Sequence, residues 1–173
     1  SEKRTRPSAP FTTSSLQQEA SRRYGFSTKR TMVLAQQLYE GVEVKGMGPV
    51  GLITYIRTDS VRIADEAREA AKQVILSEYG PEYYPETPNI YKGKNGAQDA
   101  HEAIRPTTLD LSPQLLKASL SRDQYRLYTL VYNRFLASQM TPAVYEVCAA
   151  KIESGEYRFR ASASRLVFAG YRK

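Results

Sequence analysis

The hydrophobic pattern of this chain changes period at Pro142, and that switch limits the folds open to it. Before it, apolar residues recur at helical intervals; after it they alternate, as along a strand. Leu16, Ala20 and Tyr24 fall four apart and share one helical face, and Gly25 can close that helix in a left-handed turn. Thr12-Thr13-Ser14-Ser15 offer N-cap candidates, and Ser14 with Gln17 and Ser15 with Gln18 match the capping-box spacing. A second helix is expected from about Thr28 to Tyr39, stopped by Gly41, with Met32, Ala35 and Leu38 inward. Asp59 or Ser60 is placed to cap a helix of about four turns, with Ile63, Ala67, Ala70, Ala71 and Val74 buried and Gly80-Pro81 as its stop. About two turns are expected over Ala97 to Ile104 before Pro106. Ser112-Pro113 starts a short helix, and Ser121 with Gln124 opens a long one to about Met140, with Tyr128, Val131 and Phe135 inward.

Between these, Gly46 to Gly51 is rich in turn residues, and Pro81 to Gly96 reads as an irregular surface loop. Val144 to Ile152 and Tyr157 to Phe168 read as two strands joined near Ser154-Gly155. The fold is therefore expected to be mainly α. A helical domain over 12–140 contains helix-turn-helix-like pairs, and a short β region over 141–173 follows it. A basic leading segment, 1–11, is free to pair with that β region, which would make the helical domain an insertion within a β layer.

Composition narrows the function. Cys148 and His101 are the only residues of their kinds, so a zinc site of about four ligands cannot form inside the chain. Internal disulfides are excluded as well, which fits a reducing cytoplasm. No apolar run reaches the roughly 20 residues that cross a bilayer, and the charged N-terminus lacks the apolar stretch of a secretory signal. The formal charge of +7 favours a polyanionic partner, since each phosphate neutralised releases condensed counterions.

Tyr55 is one of 13 tyrosines, and its neighbourhood distinguishes it. Leu52 to Arg57 is β-branched and aromatic, which favours an extended segment; alternation then puts Ile53, Tyr55 and Arg57 on one side and Leu52, Thr54 and Ile56 on the other. Arg57 is thus placed to hold a phosphate that Tyr55 attacks. A free tyrosine has a pKa of about 10, so a nucleophilic one needs a cation or base to help it ionise. The bland alternative is that Arg57 pairs with Asp59 on the surface.

The stretch Gly51-Leu52-Ile53-Thr54-Tyr55-Ile56-Arg57-Thr58-Asp59-Ser60 resembles the active-site signature of type IA DNA topoisomerases. Ala97-Gln98-Asp99-Ala100-His101-Glu102-Ala103-Ile104-Arg105-Pro106-Thr107 is similar to a second hallmark of that family, and Pro10-Phe11-Thr12-Thr13-Ser14-Ser15-Leu16-Gln17 to a third. The order and spacing agree, and Met140-Thr141-Pro142 resembles the point where the family's chain returns to a β-rich arch. Bacterial topoisomerase I is the nearer branch; Ile56 stands where it usually has Met, and Asp99 where it usually has Glu.

The resemblance implies that Tyr55 attacks a single-strand DNA phosphodiester to form a transient 5′-phosphotyrosine, so that the full enzyme relaxes negatively supercoiled DNA without ATP. It further implies that Arg57 stabilises charge on the phosphate and that His101 positions or protonates it. Thr54 and Arg105 are candidates for DNA contact or fold support. The family's magnesium belongs to a Toprim domain that this chain lacks. The expected partners are single-stranded DNA and the remaining domains of a longer enzyme, in the bacterial cytoplasm near the nucleoid. The chain alone is expected to bind single strands weakly and not to relax supercoils. The competing reading is a non-catalytic DNA-binding helix-turn-helix module near 14–40, carried by Arg22-Arg23 and Lys29-Arg30.

Overall fold

A computed structural model describes residues 1–93 and 100–173. In chain order it contains β1 (Glu2–Thr5), α1 (Thr13–Tyr24), α2 (Thr28–Glu40), β2 (Val42–Val44), β3 (Gly48–Val50), α3 (Asp65–Glu78), α4 (Pro113–Leu116), α5 (Arg122–Ser138), β4 (Ala143–Ser154) and β5 (Tyr157–Phe168). Helix accounts for 40% and strand for 23%, so the fold is an α and β mixture and the expectation of a mainly α chain is corrected. Two antiparallel sheets make the difference. The turn-rich 46–51 stretch closes a small hairpin, β2–β3, and the C-terminal strands pair along their whole length with β1 added at the edge, in the order β1-β4-β5. Helical periodicity before Pro142 concealed the short hairpin, whose strands are only three residues long.

β1 pairs with β4 in the register Glu2↔Glu146 to Thr5↔Ala143, and Val147 N–H donates to Ser1 O. The helical body therefore enters and leaves through adjacent strands of one sheet. Its core lies where α1, α2 and α5 meet: Leu16 and Ala20, Leu34, Ala35 and Leu38, and Leu127, Tyr128, Val131 and Phe135 are all buried. Tyr128 and Tyr132 lie on the inward face of α5, and their hydroxyls donate to the Leu111 and Leu109 carbonyls. A buried phenol needs such an acceptor.

The helix starts follow tertiary demands as well as local ones. α1 is capped by Thr12, whose hydroxyl accepts Ser15 N–H while Ser15 reciprocates, rather than by the Ser14 or Ser15 boxes. Gly25, at φ 66°, ends it in the left-handed turn that a side chain would resist. α5 begins at the expected Ser121–Gln124 box. α3 begins later than Asp59 or Ser60 would put it: Ala64 is its N-cap, and Thr58 and Ser60 instead close turns over 58–62. Ala67, Ala71 and Ile75 are its buried stripe, and Ala70 faces solvent.

The helix expected over Ala97 to Ile104 is also corrected. Ala97, Gln98 and Asp99 lie outside the described residues; from Ala100 to Ile104 the chain is non-helical, and Ile104 forms an isolated bridge with Phe11. Hydrogen bonds to distant backbone take the place of helical ones: Ala103 N–H donates to Arg62 O and Ile104 N–H to Phe11 O, both at 2.8 Å.

Candidate active site

Tyr55 stands on a short extended run that is tied down on both sides. Upstream, Leu52 N–H donates to Leu38 O at 2.8 Å and Thr107 N–H to Leu52 O at 3.0 Å. Ile53 bridges Pro106. Gly51 permits the close approach of α2, since a Cβ there would meet the Tyr39 carbonyl oxygen at 3.0 Å. Downstream, the Thr13 hydroxyl donates to Ile56 O at 2.6 Å and accepts Thr58 N–H at 2.9 Å, while Thr13 N–H donates to Thr58 O. The first residue of α1 thus clamps the loop that follows Tyr55.

Burial alternates from Thr54 onward. Thr54 is half-buried, Tyr55 exposed, Ile56 buried and Arg57 exposed. Ile53 is buried too, at 1%, because the segment is covered on both faces at that point. Tyr55 retains 46% of its surface. Among the described residues Arg57 forms no ion pair with Asp59 or any other carboxylate, and its guanidinium remains available to an anion.

His101 is exposed, and its ring lies 6.4 Å from that of Tyr55, centroid to centroid. Thr54 joins the two segments. Its N–H donates to Arg105 O at 2.9 Å, its hydroxyl donates to Ala103 O at 2.9 Å, and the same hydroxyl accepts Arg105 N–H at 3.0 Å. The Arg105 guanidinium is turned to Glu102 at 3.0 Å and to the Pro106 carbonyl. Glu102 also accepts Ala64 N–H at 2.6 Å, at the start of α3. Burial would raise the Glu102 carboxyl, but the bonds from Arg105 and from Ala64 outweigh it and hold it below the ordinary carboxylate range.

Tyr39, Thr13 and Glu102 were not singled out from sequence. The Tyr39 ring meets Tyr55 edge to face at 5.6 Å, and Tyr39 itself is 38% exposed. No local pattern reveals the Thr13 or Tyr39 contact, and the three-residue spacing of Glu102 and Arg105 is the one local signal among these. The other tyrosines near the core are poor nucleophiles. Burial pushes the Tyr91 and Tyr132 phenols up to about 12 and the Tyr128 phenol higher still. The basic pairs of the helix-turn-helix reading are partly engaged: Arg22 and Arg23 with Glu19, and Arg30 with Asp123.

Among the described residues, no three His, Cys, Asp or Glu side chains gather in a group that could hold a metal ion. No described helix is long and apolar enough to cross a membrane.

A sequence profile described as DNA topoisomerase matches residues 1–173. The chain is also similar to full-length topoisomerase I from Thermotoga maritima, with 44% identity and a TM-score of 0.85. That match covers 99% of this chain and 27% of the other, so the chain spans about a quarter of the relative's length. A match across the whole chain, in sequence and in fold, places it in the bacterial type IA DNA topoisomerase family.

Proposed function

We propose that Tyr55 is the nucleophile of single-strand DNA cleavage in the enzyme to which this chain contributes. The observation that carries the reading is an exposed tyrosine on a pinned segment, with a histidine ring beside it and, two residues along, an arginine that pairs with no carboxylate among the described residues. The Tyr55 oxygen attacks a backbone phosphorus and forms a P–O bond as the P–O3′ bond breaks. The phenol proton is lost, the leaving 3′-oxygen gains one, and the strand end remains as a 5′-phosphotyrosine. One phosphodiester replaces another, so religation needs no ATP. Arg57 stabilises charge on the phosphoryl oxygens, a large part of phosphoryl transfer, and His101 orients the phosphate or supplies the proton.

Thr54 and Arg105 keep the Tyr55 and His101 segments in register, and any DNA contact they make is added to that task. Residues 12–140 form the tyrosine-bearing domain, and 1–11 with 141–173 form part of a β-rich arch. The remaining domains supply the magnesium site and the strand-passage machinery for relaxation of negative supercoils. Among the described residues nothing replaces them, so alone the chain binds single strands weakly and leaves a supercoiled plasmid unrelaxed.

The test is covalent trapping. The whole enzyme is mixed with single-stranded DNA and denatured in detergent; a protein–DNA adduct forms in the wild type. Tyr55→Phe abolishes the adduct while DNA binding persists. An adduct that survives the substitution assigns the nucleophile elsewhere.

A further inference from the structure

The Arg22-Arg23 pair has no part in the chemistry at Tyr55, yet the fold gives it a setting. Both residues occupy the last turn of α1, where the negative end of the helix dipole favours cations. They border a cavity of 420 Å³ between α1, α5, the 8–11 segment and the C-terminal turn. Arg134 of α5 and Arg172 of that turn reach the same cavity, and Glu19 is its one carboxylate, a local surplus of three positive charges.

Several of these guanidiniums have capacity left. Arg22 and Arg23 lean on Glu19 at 2.8 and 2.6 Å, but their side chains stay 73% and 57% exposed. Arg134 sits over the Phe11 ring at 4.6 Å and donates through Nε to Ala9 O at 2.6 Å. Among the described residues its two terminal nitrogens donate to no protein acceptor. Burial, joined by the fields of Arg23 and Arg22, holds the Arg134 pKa below its ordinary value despite the opposing Glu19 and Tyr91. Such crowding of like charge is relieved by a bound anion. Tyr24, with Arg126 over its ring at 5.1 Å, and Tyr171 line the same cavity.

We infer that this cavity is a second single-strand contact, in which Arg22, Arg23 and Arg134 hold a backbone phosphate and Tyr24 or Tyr171 stacks a base. Guanidinium forks match phosphate oxygens in pairs, and cations beside aromatic rings are the usual apparatus for an unpaired strand. The site is separate from Tyr55. Thr13, at the other end of α1, clamps the Tyr55 loop, and Arg22 lies about 14 Å further along the helix axis.

The test uses this chain and a fluorescein-labelled oligothymidylate, read by anisotropy. R22Q/R23Q lowers affinity on the order of tenfold and flattens the slope of log K against log salt by about 1.4, for two lost contacts on a single strand. K151Q/R160Q removes the same charge from an exposed opposed pair on the β4–β5 hairpin and changes affinity by less than about twofold. Equal losses in the two variants, or an unchanged salt slope in the first, overturn the site in favour of diffuse charge attraction. Amide resonances of Asn133, Ala137 and Tyr171 shift with the oligomer and far less with inorganic phosphate at the same phosphate concentration. Equal shifts with both overturn the strand assignment and leave a free-anion site. Covalent trapping in the whole enzyme reads Tyr55 and anisotropy with this chain reads the cavity, so failure here is distinguishable from failure of the nucleophile assignment.

Discussion

Replacing Thr54 by valine removes one hydroxyl and almost no volume. That hydroxyl donates to Ala103 O at 2.9 Å and accepts Arg105 N–H at 3.0 Å, so the substitution strands one carbonyl and one amide in a half-buried position. A buried polar group left without a partner costs about 1–3 kcal/mol. Arg105 is partly exposed, so water answers some of its share, while Ala103 is fully buried, and the sum is at least about 2 kcal/mol. For a chain of this size, about 2–4 °C per kcal/mol gives a fall in Tm of about 4–8 °C. Thermal unfolding followed by circular dichroism measures it, with Thr54→Ser as the control: serine keeps the hydroxyl and should recover most of the loss. The same measurement separates fold support from DNA contact. If Thr54 acted only on DNA, Thr54→Val would melt with the wild type and lose affinity alone. A Tm shift under about 1 °C would refute the registering role argued from these bonds.

Two further outcomes follow from the same neighbourhood. Tyr39→Ala removes the edge-to-face contact with Tyr55, and since such pairs contribute about 0.5–1.5 kcal/mol, adduct formation in the whole enzyme should slow about two- to tenfold; Tyr39→Phe should restore it, and equal defects in both would point to the hydroxyl instead. Glu102 has its pKa depressed in the fold, so the stability it contributes is present above its unfolded value of about 4.3 and is lost as pH falls through the lower folded value. Glu102→Gln should therefore be less stable than the wild type in urea at pH 7, with the gap closing below about pH 4; a gap that does not change with pH would assign the loss to packing.

Much of the helical body was legible because its signals are local. The Ser121–Gln124 box, the Gly25 cap, the Ser112-Pro113 start and the inward faces of α2 and α5 each depend on residues a turn or two apart. The exposure of Tyr55 and Arg57 on either side of buried Ile56 came from simple alternation. Local signals misled where a distant group competed for the same backbone. Ala100 to Ile104 has the composition of a helix, but Phe11, Thr54 and Arg62 take its hydrogen bonds and hold it extended. Asp59 and Ser60 have the chemistry of a cap, yet Ser60 spends its hydroxyl on Arg62 N–H and α3 starts at Asp65, with Glu102 reaching in to Ala64. The fold class went the same way, since a hairpin as short as β2–β3 offers too few residues for an alternation to show.

By itself, the order of the residues determined that strands follow Pro142, which faces of α2 and α5 turn inward, and which tyrosine stands on an extended stretch with an arginine two positions on. Those properties come from backbone sterics and side-chain periodicity, which act over a few residues. The tertiary structure alone decided that Thr13 locks the loop after Tyr55, that Thr54 ties it to the His101 segment, and that Tyr39 lies against its ring. Each of those contacts joins groups far apart in the chain. Their partners become defined only when burial of one common core brings the segments together.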